Sequence, residues 1–185
     1  MAVLKKDFPT LAELRRDTYE YHNSSNMLNV HGIDPNDWRR NPYAFCKSRY
    51  YMELSCLLVF ALLRTRVTAN FVTLMFVFSS LLGGLLIGVK NETAVYIGIG
   101  LVFNKGILDW TDGLLARQRR QTSLKGHLLD DYGTKVGSIA LITGLAFYLQ
   151  NKLASDLVLY ALVMYLMMQA LKVTVAASES ILQEL

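Results

Sequence analysis

The feature that most restricts how this chain folds is an uncharged apolar run, FVTLMFVFSSLLGGLLIGV, from Phe71 to Val89. Its nineteen residues form a helix long enough to cross the hydrocarbon core of a bilayer, which is about 30 Å thick. Composition agrees, because 52% of the 185 residues are hydrophobic and only 18% are charged, against about a quarter charged in soluble domains. The sequence therefore predicts a membrane protein.

Three further segments are predicted to span the membrane after this run. They cover about Thr93–Arg117, Gly126–Leu149 and Asp156–Ala177. The connections KNE and QNKLAS are short, so sequential helices are expected to pack antiparallel. The predicted fold class is all-α: a polytopic membrane helix bundle with about four spanning helices and an N-terminal interfacial amphipathic helix.

The chain divides into an arm and a membrane domain. The polar arm is 1–43 and the membrane domain is 44–185, with its spanning helices in 70–185 and its candidate catalytic motif in 109–134. Residues 44–66 contain LSCLLVFALL, only ten apolar residues, between basic and tyrosine-rich flanks. Ten residues are too few to span, so this segment is predicted to lie in the headgroup plane.

Within the arm, Thr10 and Glu13 have the spacing of a capping box, which predicts a helix through LAELRRDTYEYH. The arm as a whole is interpreted as a solvated extension, with a regulatory or interface role as the alternative.

The distribution of Lys and Arg predicts the orientation. Fourteen of the nineteen lie on the N-terminal side or in the loop at 117–125, and only Lys90 and Lys152 lie in the opposite loops. Positive loops stay inside, so we expect a multi-pass protein of the cytoplasmic membrane or endoplasmic reticulum with the 117–125 loop in the cytoplasm. These residues cluster at the ends of apolar segments without interleaved aromatics, which excludes a nucleic-acid groove.

Acidic residues at the ends of two predicted spanning helices are the main chemical signal. Asp109 and Asp112 are three residues apart and share a helix face, and the small residues Gly113 and Ala116 follow on it. Asp130 comes from the next, antiparallel helix. Carboxylates that point from both helices into the bundle, at the same depth in the membrane, predict a site for a hard divalent cation such as Mg²⁺ or Mn²⁺. The structural alternative is that they are helix caps or ion-pair partners of Lys105 and Arg117.

The motif resembles that of the CDP-alcohol phosphotransferase (CDP-alcohol phosphatidyltransferase) family, D-x2-D-G-x2-A-R-x8-G-x3-D-x3-D. Its first seven defined positions stand here as Asp109, Asp112, Gly113, Ala116, Arg117, Gly126 and Asp130. Upstream, RVTANFVTL resembles the family's T-P-N-x-x-T through Thr68, Asn70 and Thr73, with Ala69 in place of proline. The resemblance covers roughly Lys47–Gln150.

The resemblance implies a phospholipid-biosynthetic membrane enzyme that transfers a phosphatidyl-type group from a CDP-linked lipid donor to an alcohol or phospho-alcohol acceptor and releases CMP. It implies that the three aspartates hold two divalent metals across the donor's diphosphate. The residues implied to line the donor pocket are Asn70, Thr73, Gly113, Ala116, Arg117 and Gly126.

The family's fourth aspartate, taken as the base for the acceptor hydroxyl, is replaced by Thr134. Three interpretations stay open: Asp131 takes its place, the chain binds the donor without transferring, or the acceptor needs no strong base. Lys135 is interpreted either as a contact to a phosphorylated acceptor or as a lysine that reaches the membrane interface.

Four predicted spanning helices are fewer than the six usual in the family. A fragment, a pocket completed by a partner subunit and a reduced form are the alternatives. The small residues Gly83, Gly84 and Gly88, and Gly133 with Gly137, allow close helix contact, either inside the molecule or in a homodimer.

Two rival functions remain. One is a weak or inactive relative that binds CDP ligands or serves as a partner subunit. The other is a cation transporter, although Arg117 beside the aspartates favours an anionic ligand, and a transporter usually places acidic groups near the bilayer midplane.

Overall fold

The computed structural model describes residues 8–22, 38–39 and 41–184, with side chains described as far as residue 170. Within these residues the chain forms six α-helices and no strand, which confirms the predicted all-α class. The helices are α1 (Leu11–His22), α2 (Pro42–Leu62), α3 (Ala69–Gly88), α4 (Glu92–Gln118), α5 (Leu124–Leu153) and α6 (Leu157–Glu184). The predicted arm, 1–43, lies partly outside the described residues.

One helix is long and apolar enough to cross a membrane, among the residues that the structure describes. It is α3, and the shorter stretch Leu157–Ala170 of α6 is also apolar. Helix α4 carries Lys105, Asp109 and Asp112, and α5 begins with several charged residues, so neither is a uniformly apolar span. The multi-pass bundle and its orientation therefore stay predictions.

The chain separates into two compact units. Unit one consists of residues 1–76 and 104–133, and unit two of residues 77–103 and 134–185. Helices α3, α4 and α5 contribute residues to both units. Helices α1 and α2 belong to the same unit, and the membrane-domain boundary at residue 44 stays a prediction.

Helix α1 is built into unit one, which corrects the interpretation of a solvated extension for this part of the arm. Its N-terminus has the predicted capping box, in which the Thr10 N–H donates to Glu13 at 2.7 Å and the Glu13 N–H donates to the Thr10 hydroxyl at 3.3 Å. Leu14 is completely buried and Thr18, one turn later, is 3% exposed. Leu14 joins the hydrophobic core formed with residues such as Cys56 and Leu115.

Polar contacts fix α1 on α2 beside this core. The Arg15 guanidinium forms an ion pair with Glu53 at 2.8 Å, and the Tyr19 hydroxyl donates to the same carboxylate at 2.8 Å. The Cys56 thiol lies 3.4 Å from the Thr18 hydroxyl. These contacts can form together only when α1 and α2 are aligned in a single register along their axes.

Helix α2 begins where Asn41 caps it, because the Asn41 side chain accepts from the Ala44 N–H at 2.9 Å and Pro42 stands in the first turn. The helix ends at Leu62, close to the predicted segment 44–66. After it, the Arg119 guanidinium donates to the carbonyls of Leu62 at 2.8 Å and Thr65 at 2.9 Å, and to that of Val67. This contact ties the connection before α3 to the end of α4.

Close helix packing in unit two uses the small residues of α3. A Cβ atom placed on Gly84 would overlap the backbone of Ala140, and one on Gly144 would overlap the backbone of Gly84. A Cβ on Gly88 would lie 3.4 Å from the Cβ of Phe147. The α3 glycines therefore serve packing within the unit, which confirms one of the two predicted uses.

Candidate active site

Unit one contains an open cavity of about 300 Å³ where the start of α3, the end of α4 and the start of α5 meet. Its walls are polar at the α4 and α5 side and carry small residues. The lining residues are Ala69, Asn70, Thr73, Asp112, Gly113, Ala116, Arg117, Gln121, Thr122, Ser123, Gly126, His127 and Asp130.

Asp112 is the most buried acidic residue of this wall, with 6% of its surface exposed. The Thr73 hydroxyl, which is also buried, donates to Asp112 Oδ2 at 2.5 Å. Thr73 is one turn into α3 and its hydroxyl also lies 3.2 Å from the Ala69 carbonyl. The Thr73 hydroxyl and the Gly113 backbone N–H do not fully replace the water that a carboxylate loses on burial, so Asp112 has capacity for a cation.

Asp130 has a buried carboxylate oxygen, Oδ1, that accepts no hydrogen bond from the described residues. The carboxyl groups of Asp109 and Asp130 interact directly, and Asp112 lies within electrostatic reach of both. Lys105, one turn before Asp109, interacts electrostatically with Asp109. One lysine does not neutralise three carboxylates that repel one another.

The chemistry of these donors fits a hard divalent cation. Carboxylate oxygens are the ligands that Mg²⁺ and Mn²⁺ take, and Asp130 Oδ1 is a buried acceptor without a partner. Across the described part of the chain, no three His, Cys, Asp or Glu side chains are already gathered closely enough to hold one ion. Asp109, Asp112 and Asp130 are therefore neighbours with suitable chemistry rather than a closed cage.

Glycines keep two parts of the wall clear. A Cβ on Gly113 would lie 3.3 Å from Arg117 Nη1, and one on Gly126 would lie 3.3 Å from the Ser123 hydroxyl and 3.4 Å from Asn70 Oδ1. A side chain at either position would crowd a group that faces the cavity. This spacing leaves the polar edges of Arg117 and Asn70 accessible to a ligand.

The predicted site residues fall into two groups. Eight line the cavity, and Asp109 interacts with two of them without lining it. Asp131 is exposed and is absent from the cavity wall. Thr134 and Lys135 are exposed residues of unit two, and the Thr134 carbonyl accepts from the Ser138 hydroxyl at 2.9 Å.

Sequence reasoning missed several residues of this region. His127, Gln121, Thr122 and Ser123 line the cavity, and all stand in the variable gap of the motif between Arg117 and Gly126 or just after it. Their position in that gap is the one signal that could have selected them. Arg119 was counted as a loop cation, although it holds three backbone carbonyls.

A model of the CDP-alcohol phosphatidyltransferase family matches residues 66–184, well over half of the chain. The chain belongs to this family. No curated protein and no solved structure was found to match it. Membership confirms the predicted resemblance and makes the protein a member of a family of transferases of phospholipid biosynthesis.

The region matched to the CDP-alcohol phosphatidyltransferase family includes every predicted site residue, from Asn70 to Lys135. It also includes the whole cavity lining. Helix α1 and all of α2 precede it. The family match therefore bears on the cavity, whereas the packing of α1 on α2 lies outside the matched region.

Proposed function

We propose that this protein transfers a phosphatidyl-type group from a CDP-linked lipid donor to an alcohol acceptor, in a divalent-metal-dependent reaction at the cytoplasmic face of a membrane. In this reaction the acceptor oxygen bonds to the lipid-side phosphorus, the bond from that phosphorus to the bridging oxygen breaks, and CMP leaves. The observation that carries the proposal is the cavity in which Asp112, Asp130 and Arg117 meet with Gly113 and Gly126.

Each group has a chemical role in this proposal. Asp109, Asp112 and Asp130 would hold the divalent cation, which supplies neutralisation of the charge on the diphosphate and on departing CMP. Arg117 offers a permanently charged, planar fork that suits a phosphate group. The clearance at Gly113 and Gly126 lets a flat nucleoside approach the backbone.

The proton of the acceptor hydroxyl has no strong base at the family's usual position, because Thr134 stands there. Asp131, the candidate substitute, is exposed and outside the cavity wall. This placement favours the two interpretations in which the acceptor needs no strong base or transfer is lost. The second candidate function is therefore a relative that binds CDP-linked ligands without turnover.

The test is to incubate purified protein with CDP-diacylglycerol, Mg²⁺ or Mn²⁺ and a panel of alcohols and phospho-alcohols, and to measure CMP release. Acceptor-dependent release supports transfer. Binding of CDP-diacylglycerol without release from any acceptor supports the inactive relative. Neither binding nor release would contradict both candidates.

A further inference from the structure

The last turn of α1 contacts α4 at the residue proposed to bind phosphate. The Arg117 guanidinium carbon lies 4.2 Å from the centre of the Tyr21 ring. Next to it, the His22 ring stacks on Trp110, with ring centres 4.4 Å apart and planes inclined by 23°. Two consecutive residues of α1 thus lie against α4, near the cavity.

The position of Tyr21 is fixed by contacts that do not involve the cavity. Burial of Leu14 and the Arg15–Glu53 ion pair hold α1 on α2. The Tyr19 hydroxyl, two residues before Tyr21, donates to Glu53 at 2.8 Å. The ring of Tyr21 is therefore presented to Arg117 by a helix that is anchored elsewhere.

The geometry leaves Arg117 free to bind an anion while it rests on the ring. A cation–π contact uses the flat face of the guanidinium, and phosphate is bound by its N–H edge. Gly113 lies beside this edge without a side chain, since a Cβ there would be 3.3 Å from Arg117 Nη1. An arginine with one face covered and its edge open loses less conformational freedom when a ligand binds.

We infer that Tyr21 is a positioning residue for the donor: its ring holds the Arg117 guanidinium in the cavity wall, ready to bind a phosphate of a CDP-linked substrate. The inference rests on the proposed function. It assigns part of the donor site to a helix that precedes the region matched to the family.

The experiment compares Tyr21→Leu, Tyr21→Phe and a control, Glu20→Ala, which changes an exposed neighbour on the same helix. We measure the Kd of CDP in the presence of Mg²⁺ by calorimetry and the KM and kcat for CDP-diacylglycerol by CMP release. Loss of one partly desolvated cation–π contact predicts that Tyr21→Leu weakens CDP binding and raises KM about tenfold, with kcat within about twofold. Tyr21→Phe keeps the ring and is expected to match the wild type, as is Glu20→Ala.

A double-mutant comparison separates positioning from a general effect on the fold. In an Arg117→Ala background, Tyr21→Leu is expected to have no further effect on CDP affinity, because the residue that it positions is gone. A full tenfold loss in that background, or equal CDP affinity of Tyr21→Leu and the wild type, would overturn the inference. A wild type that neither binds CDP nor releases CMP would contradict the proposed function and the inference together, whereas an active wild type with an unchanged Tyr21 series contradicts the inference alone.

Discussion

Thr134 is the residue at which this chain departs most from its family's motif. A threonine hydroxyl is not basic near neutral pH, so it does not accept the proton that the acceptor alcohol must lose. The exposed Asp131 does not line the cavity that holds Asp112 and Asp130. Turnover by the wild type is therefore expected to be slow with acceptor alcohols of ordinary acidity.

Restoring the carboxylate tests this account. We predict that Thr134→Asp raises kcat for CMP release about 10²-fold, the lower end of what a positioned general base contributes. The donor KM is expected to change little, because Thr134 is not among the residues that line the cavity. The measurement is the initial rate of acceptor-dependent CMP release, with Thr134→Asn as an uncharged control of similar size. A Thr134→Asp variant no faster than the control would show that a base is not what limits the reaction.

Asp130 illustrates how a binding site costs stability when its ligand is absent. Its Oδ1 is buried without a partner, and its charge repels that of Asp109. Residues selected for function often lower stability in this way. The carboxylate is expected to be stabilising only when a cation is bound.

We predict that Asp130→Asn stabilises the metal-free protein by about 1 kcal/mol, which raises Tm by roughly 2–4 °C in a chain of this size. The measurement is thermal unfolding of detergent-solubilised protein in EDTA. The control is Asp131→Asn, a change of the exposed neighbour, expected to stay within about 0.5 kcal/mol of the wild type. A Tm for Asp130→Asn at or below that of the control would argue against unrelieved repulsion at this site.

At the scale of helices, the carboxylate of Glu53 contributes to the docking of α1 beside the buried Leu14. Partial burial works to raise the pKa of Glu53, but hydrogen bonds from Arg15 and Tyr19 outweigh it, so that its pKa is lowered from the ordinary 4.5. A lowered folded-state pKa stabilises the docked helix above pH 4.5. This contribution is lost as the pH falls through the lower, folded-state value.

We therefore predict that hydrogen exchange of α1 amides, corrected for the intrinsic rate, speeds up several-fold as the pH is lowered from 6 to about 3. Glu53→Gln is expected to exchange faster than the wild type at pH 6, and the difference is expected to shrink as the pH falls and the wild type loses the Glu53 charge. A wild type and a variant that differ by the same factor at every pH would show that the Glu53 charge does not hold α1.

The connection between α5 and α6 contains a strained residue. Ala154 has φ 49°, in the left-handed region where a Cβ costs roughly 1–2 kcal/mol. Its N–H donates to the Gln150 carbonyl at 2.8 Å, which ends α5. Glycine is the usual residue at such a helix end.

We predict that Ala154→Gly stabilises the protein by about 0.5–1 kcal/mol, since the relieved strain exceeds the extra chain entropy that glycine loses on folding. The matched change Ala161→Gly, at an exposed position inside α6, is expected to destabilise by up to about 1 kcal/mol. Thermal unfolding of both variants checks the two signs. Destabilisation by Ala154→Gly would contradict the backbone conformation described for this connection.

At the scale of the whole molecule, the helices and the cavity wall follow from local patterns in the sequence. Apolar runs bounded by charges predicted α3 to α6, and the spacing of Asp109, Asp112 and Asp130 predicted that the ends of α4 and α5 meet. These signals are strong because one helical period relates residues three or four apart. These local signals do not depend on how the rest of the chain folds.

The contacts that the sequence did not reveal all join residues distant along the chain. Arg119 reaches carbonyls more than fifty residues away, and Tyr21 reaches Arg117. Nothing in a lone arginine or a lone tyrosine identifies its partner. Burial of α1 was missed for a related reason, because Leu14 is the single large apolar side chain that this polar helix buries completely.

The proposed activity requires that three carboxylates bind a divalent cation beside Arg117 and so create a site for CDP. The most direct measurement is calorimetric titration of CDP into the wild type and Asp130→Asn, with Mg²⁺ and with EDTA. We predict that EDTA weakens wild-type CDP binding at least about tenfold and that Asp130→Asn binds weakly with or without Mg²⁺, because loss of a ligand lowers metal affinity. Equal CDP affinity of the wild type in Mg²⁺ and in EDTA would contradict the account.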